Sequence, residues 1–290
     1  MKSVPFGPLD PALYRETVRR ALAEDLGWGD LTTEATVPED ALAHGRLVAG
    51  SACVVAGLDV AEEAFRQLDP GVRATRARRD GERCAAGDLI ATFDGRAGTM
   101  LTAARTAVNF VERLSAIATT TDRFVQASRG RLVILDTRKT LPLWRLLEKY
   151  AVRAGGGTNH RFSLDDGVVI EAGHARFAGG VAAAVARVRS AATDMPIEVE
   201  VASIAEAAEA IAAGATRLLA TRPGSTDEFL ADLVATARGR ATVELAGEVS
   251  VDEIDALASL GVDFVSVPAL TAAPTPVVLR FDVLTARPGE

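Results

Sequence analysis

From residue 131 onward the sequence repeats one pattern, a short apolar run followed by a helical segment. The runs are RLVILD, GVVI, PIEVEV, TRLLA, TVEL and DFVSV, and helical stretches such as SIAEAAEAIAAG and TDEFLADLVATA lie between them. Runs that are apolar on both faces, separated by helical segments, specify a parallel sheet covered by helices. Six such units predict a parallel α/β barrel, open or incomplete, with a doubly wound open sheet as the alternative. The tail PTPVVLRFDVL reads as one more strand with no helix after it, expected to return to the first part of the chain.

Upstream, Asp10-Pro11 opens a helix that should end near Gly27. Residues 45–57 alternate as a strand, Leu58 to Leu68 forms a short helix, and 72–93 holds strand-like segments broken by Asp80-Gly81 and Ala86-Gly87-Asp88. A long helical pattern over 101–127 carries Val108, Val111, Leu114, Ile117 and Ala118 on one stripe. The expected organisation is an N-terminal α/β domain over 1–105, joined by the C-terminal strand within 269–290, and a barrel over 106–268.

Composition narrows the partners. The 290 residues are 48% hydrophobic and 24% charged, enough for a full core. A net charge of −7 argues against nucleic acid or an anionic membrane as partner. No apolar run reaches a membrane span, and MKSVPFGPLD lacks the pattern of a secretory signal, so a cytoplasmic location is expected. Cys53 and Cys84 alone make neither a disulfide framework nor a zinc knuckle.

Only three of the 32 basic residues are lysines: Lys2, Lys139 and Lys149. Between Arg131 and Arg161, seven basic residues face two acids, Asp136 and Glu148. That local excess points to an anionic ligand, although Arg145, Lys149 and Arg153 at i, i+4, i+8 would equally suit a solvated helix face. In such barrels the chemistry gathers where strands end. Arg138-Lys139 offers a planar fork and a point charge, suited to a carboxylate and a phosphate. Gly155-Gly156-Gly157 ahead of His160-Arg161 allows close backbone approach, either to a ligand or at a tight crossing. Glu198 and Glu200 point the same way on one strand. His44 and His174 read as structural.

The stretches DTRKT and LLEKYAVRAGGGTNHR, with IEVEV, EDLGWGDLTTEATVP, ARTAVNFVERLSAIAT and GVDFVSVPALT, resemble the quinolinate phosphoribosyltransferase family over nearly the whole chain. The resemblance implies an N-terminal α/β sandwich plus an open, seven-stranded α/β barrel, working as a homodimer with shared active sites. It implies a pentosyltransferase that joins quinolinate to the ribose of phosphoribosyl pyrophosphate, with Mg²⁺, giving nicotinate mononucleotide, pyrophosphate and CO₂ for NAD biosynthesis. By the same resemblance, Arg105 from the partner chain, Arg138, His160 and Arg161 form the clamp for the pyridine carboxylate. Lys139 binds phosphate, and Glu200 is the carboxylate near ribose and metal.

The chain departs from the family pattern elsewhere. Glu171 stands where the family has a lysine and Thr221 where it has an aspartate. Ala246-Gly247-Glu248 replaces the phosphate-binding S-G-G, and Pro268 replaces a glycine. Glu171 beside a dianionic acceptor turns attraction into repulsion, and Pro268 removes a backbone donor. Two alternatives therefore stand beside quinolinate turnover. One is a different pyridine or nucleotide substrate in a secondary pathway; the other is a non-catalytic binding or regulatory partner.

Overall fold

A computed structural model describes residues 7–191 and 194–285. In chain order the elements are α1 (Arg15–Leu26), α2 (Leu31–Thr36), β1 (Leu42–Ala49), β2 (Cys53–Val54), α3 (Leu58–Leu68), β3 (Arg73–Arg76), β4 (Arg83–Cys84), β5 (Leu89–Arg96) and α4 (Ala97–Ser128). There follow β6 (Val133–Leu135), α5 (Arg145–Ala154), β7 (Val168–Ile170), α6 (Ala172–Ala178), α7 (Val181–Ser190), β8 (Ile197–Glu200), α8 (Ile204–Ala213) and β9 (Arg217–Arg222). The chain continues through α9 (Asp227–Ala237), β10 (Thr242–Gly247), α10 (Ile254–Leu260), β11 (Phe264–Ser266), α11 (Ala269–Ala272) and β12 (Leu279–Thr285).

These elements form two compact units. The first takes the chain as far as Asp122, then Leu146–Gly156, then the segment from Pro274; the second takes Arg123–Arg145 and Gly157–Ala273. The expected boundary at 105/106 falls inside α4, whose uninterrupted 32 residues carry the first unit well beyond it.

In the first unit β12, β1, β5 and β3 form an antiparallel sheet in that order. The tail strand pairs with β1 from Ala43↔Thr285 to Ala49↔Leu279. Three rings meet on its core face: Phe65 of α3 lies 4.5 Å from Phe93 and 5.2 Å from Phe281, centroid to centroid. α5 is buried nearly all round, including Glu148 and Lys149. The solvated face considered for Arg145, Lys149 and Arg153 therefore does not hold at Lys149. A charge on such a helix needs partners, and Arg113 donates to Glu148 Oε1 from Nε (3.0 Å) and Nη2 (2.7 Å). Cys53 and Cys84 face each other across the β2–β4 pair as free, buried thiols.

The second unit holds the parallel sheet, in the order β6-β11-β10-β9-β8-β7. Strands β7 to β11 advance always in one direction, and the first strand sits beside the last. A doubly wound sheet reverses direction partway and so places helices on both faces. This order does not reverse, and it is that of a barrel left open between β6 and β7. Six strands are joined rather than the seven implied by resemblance. The seventh position is held by a single bridge, in which Thr158 N donates to Ile134 O (2.9 Å) and Asp136 N donates to Thr158 O (3.2 Å). That bridge lays the segment after the triple glycine alongside the end of β6.

Candidate active site

Two loops of the second unit are clasped by one buried carboxylate. Asp136, fully buried at the end of β6, accepts from His160 N (2.9 Å, Oδ1) and Asn159 Nδ2 (2.5 Å, Oδ2). Arg145 braces the same pair of loops, donating to Arg138 O (3.4 Å) and Phe162 O (3.2 Å). The clasp brings Arg138 and Arg161 into one cleft of about 510 Å³ at the open seam. Its walls include Glu171, His174 and Arg187, with apolar surface from Val168, Ile170 and Ala184. A cleft that joins apolar wall residues to guanidinium groups suits a ring that carries acid.

Among the cleft residues, Arg161 is almost buried, at 11% side-chain exposure; its Nη1 donates to Gly167 O (3.2 Å) and its Nη2 lies 3.8 Å from Glu171 Oε1. Arg138 Nε is buried with no hydrogen-bond partner among the described residues. His174 Nδ1 accepts from Glu171 N (3.0 Å) and so caps α6, while His44 pairs with Asp94 (2.8 Å).

His160 does not line this cleft. Its Nδ1 accepts from Arg161 N (2.7 Å), and its Nε2 lies 3.0 Å from Glu198 Oε2 and 3.5 Å from Glu244 Oε1. With Nδ1 accepting, the ring proton sits on Nε2 between two buried carboxylates. Of the sequence-based clamp, Arg138 and Arg161 lie in the cleft and Arg105 does not, while the imidazole turns inward and fixes the backbone that carries Arg161. Arg217 completes the network, with Nη1 2.9 Å from Glu244 Oε2 and its guanidinium stacked 3.9 Å from the Phe264 ring. Residue type alone did not reveal this interior layer. The available signal was polar residues at alternate positions within otherwise apolar strands: Glu198 in IEVEV and Glu244 in TVEL.

Burial and the nearby Glu198 charge push the Glu244 pKa up to about 7. Burial alone would lower that of His160, but its hydrogen bond to Glu198 and the charge of Glu244 raise it overall. Both shifts have the same sign: each group contributes stability that is complete at low pH and is lost as pH rises, for Glu244 between its ordinary value and about 7. Replacement by an uncharged isostere removes that share. The stability of wild type relative to Glu244→Gln, from urea midpoints at several pH values, is expected to fall between about pH 4.5 and 7 and to level off above. The three ligating atoms of His160, Glu198 and Glu244 lie within 4.8 Å of one another. Arg217 and the imidazole proton already balance the carboxylates, however, and an imidazole is a poor donor for a hard cation.

The remaining expected residues sit along the rim where the parallel strands end. Lys139 is exposed, and its carbonyl accepts from Thr271 Oγ1 (2.7 Å), which ties the end of β6 to α11. Pro268 caps the start of α11. Glu200 ends β8, and its Oε2 accepts from Ala172 N (2.9 Å). Thr221 pairs with Ala246 and Arg222 with Gly247 across the β9–β10 ladder. Gly247 is required there, since it has φ +132° and an added Cβ would lie 2.4 Å from Arg222 O. Arg105 belongs to the first unit, on an exposed face of α4 beside a separate cleft lined by Leu31, Leu101 and Thr102.

An arginine-lined cleft at the open seam of a parallel α/β barrel, in a chain that also folds an antiparallel α/β unit, defines a protein built to hold small anionic substrates. The sequence matches the family described as quinolinate phosphoribosyl transferase, through its N-terminal domain over residues 30–115 and its C-terminal domain over 117–282. The chain belongs to that family, whose members are pentosyltransferases. It is 40% identical over 270 residues to the nicotinate-nucleotide pyrophosphorylase [carboxylating] of Mycobacterium leprae (strain TN), covering 89% of this chain and 92% of that protein. It is 36% identical over 263 residues to the probable enzyme of that name from Bacillus subtilis (strain 168), covering 90% of each. The solved nicotinate-nucleotide pyrophosphorylase from Francisella tularensis superposes with a TM-score of 0.92 at 34% identity, over 98% of this chain and 100% of that one. NadC from Streptococcus pyogenes gives 0.93 at 34% identity, over 97% and 100%.

Proposed function

We propose that this chain transfers a phosphoribosyl group from phosphoribosyl pyrophosphate to the ring nitrogen of a pyridine carboxylate. The observation that carries the reading is the pairing of Arg138 and Arg161 in one apolar-walled cleft, fixed by the Asp136 clasp. The ring nitrogen lone pair forms the bond to the anomeric carbon while the bond to pyrophosphate breaks, and pyrophosphate leaves with its electron pair. With quinolinate as acceptor, the 2-carboxylate then departs as CO₂ and a proton replaces it. The arginines hold the acceptor, Lys139 faces the phosphates, and Glu200 lies toward the ribose. The rim segments Thr221, Ala246-Gly247-Glu248 and Pro268 border the donor.

Mg²⁺ would supply charge neutralisation on the departing pyrophosphate. Of the residues expected on the donor side, Glu200 offers a carboxylate that already accepts from Ala172 N, and Thr221 offers only a neutral hydroxyl. Such a set suits an ion carried in on substrate phosphates better than one held by protein alone. No helix among the described residues is long and apolar enough to cross a membrane, and a cytoplasmic reaction is part of this proposal.

The working form is a homodimer in which Arg105 reaches the partner's cleft. Exposed Leu31 and Leu101 line the same cleft as Arg105 and offer the apolar surface an isologous contact needs. Incubation with phosphoribosyl pyrophosphate, Mg²⁺ and pyridine carboxylates is expected to yield an N-ribosyl nucleotide and pyrophosphate; no product from any acceptor would overturn the reading. Two inactive variants, Arg105→Ala and Arg138→Ala, are expected to complement when mixed and reassembled. Random pairing leaves about one quarter of the sites intact, so activity near that fraction should return. No recovery would show that each chain completes its own site.

A further inference from the structure

Three arginines line the cleft, Arg138, Arg161 and Arg187, and the first two are not equivalent. Arg161 is engaged at both ends by its own chain, at Gly167 O and at the Glu171 carboxylate. Glu171 is anchored in turn: its side chain accepts from the backbone N–H of His174 at the start of α6, and the His174 ring accepts from Glu171 N. More than half of the Glu171 side chain, 56%, remains exposed on the cleft wall. Arg138 carries the unmet buried donor. The cleft therefore contains one carboxylate of its own, set against Arg161, one of its three arginines.

We propose that Glu171 determines acceptor specificity, and that the preferred acceptor is a pyridine with one carboxylate, held by Arg138, and an adjacent amine or similar hydrogen-bond donor, held by Glu171. This rests on the phosphoribosyl-transfer reading above and names its substrate class. A dicarboxylate would set its second anion against Glu171 in a partly dehydrated cleft, where like charges repel more strongly than in water. A donor in that place gains a charge-assisted hydrogen bond instead. The transfer itself balances without decarboxylation. The ring nitrogen bonds to the anomeric carbon, pyrophosphate leaves with its electron pair, the ring becomes a pyridinium, and no CO₂ is released.

The test is calorimetric titration of the full chain with pyridine-3-carboxylate, 2-aminopyridine-3-carboxylate and pyridine-2,3-dicarboxylate. The amino compound is expected to bind at least about tenfold more tightly than the dicarboxylate, the ratio that one charge-assisted contact supports. Glu171→Gln, which keeps an oxygen to cap α6, should abolish that preference, and Glu171→Lys should invert it. Circular dichroism of each variant checks that α6 is intact. Dicarboxylate binding as tight as that of the amino compound to wild-type protein would overturn the proposal; if that dicarboxylate is also turned over with CO₂ release, phosphoribosyl transfer stands. Binding of none of the three would overturn both.

Discussion

Replacing Arg138 with alanine is expected to weaken acceptor binding by about two orders of magnitude while leaving the thermal midpoint nearly unchanged. Loss of hydrogen bonds to a charged group costs roughly 1.5–3 kcal/mol, and a bidentate pair lies at the upper end. At about 1.4 kcal/mol per decade, that is close to a hundredfold in Kd. The unchanged midpoint follows from the side chain's surroundings. Arg138 Nε has no partner among the described residues, so truncation removes a buried donor that folding leaves unmet. The loops keep their clasp, because Asp136 and Arg145 hold backbone groups rather than the Arg138 side chain. Arg138→Lys should recover less than half of the lost binding free energy, since an ammonium offers no planar fork. Titration calorimetry beside a melting curve separates the two effects. A large fall in the midpoint with unaltered affinity would mean that Arg138 serves the fold.

The second large effect is on stability. Gly155→Ala should cost about 3 kcal/mol or more, the upper range for overpacking a close-packed interior. An added Cβ would lie 2.3 Å from the carbonyl oxygen of Ala118 and 2.7 Å from Thr121 Cβ, where α4 passes the end of α5. Neither neighbour can yield easily. One is helical backbone, and Thr121 is fully buried with its hydroxyl bonded to Ile117 O (2.8 Å). The midpoint should drop by roughly 6–12 °C for a chain of this size. Gly156→Ala is the comparison. That residue has φ +83°, so a side chain there meets backbone strain of about 1–2 kcal/mol. A Gly155→Ala protein as stable as wild type would show that the helices can separate at little cost.

This pair also shows what the sequence disclosed. The alternation of apolar runs and helical stretches gave the parallel sheet, because both periodicities are local. The triple glycine left two readings open, ligand approach or tight crossing. At Gly155 the crossing is the one found, and it depends on α4, more than thirty residues away in the chain. DTRK and NHR could be read as an anion site from residue type. Which of their side chains would face the cleft could not, because the direction of the His160 ring depends on Glu198 and Glu244 in distant strands. Lys149 shows the same limit. Its spacing with Arg145 and Arg153 suits a solvated stripe, but α5 is enclosed on nearly all sides. The short helix α2, whose Asp30 side chain accepts from Thr33 N (3.0 Å), was missed although its capping residue is visible in GDLTTE.

The pairing of β1 with β12 bears on how the chain is made. Seven residues of β1 are matched to the last described strand, and Phe281 of that strand completes the aromatic cluster against Phe65 and Phe93. During synthesis the opening sheet therefore stays one strand short until β12 has emerged, whereas all six parallel strands have by then been made. The second unit can mature first although most of the first is translated before it, and the early segment must wait with an open edge that invites chaperone capture or mispairing.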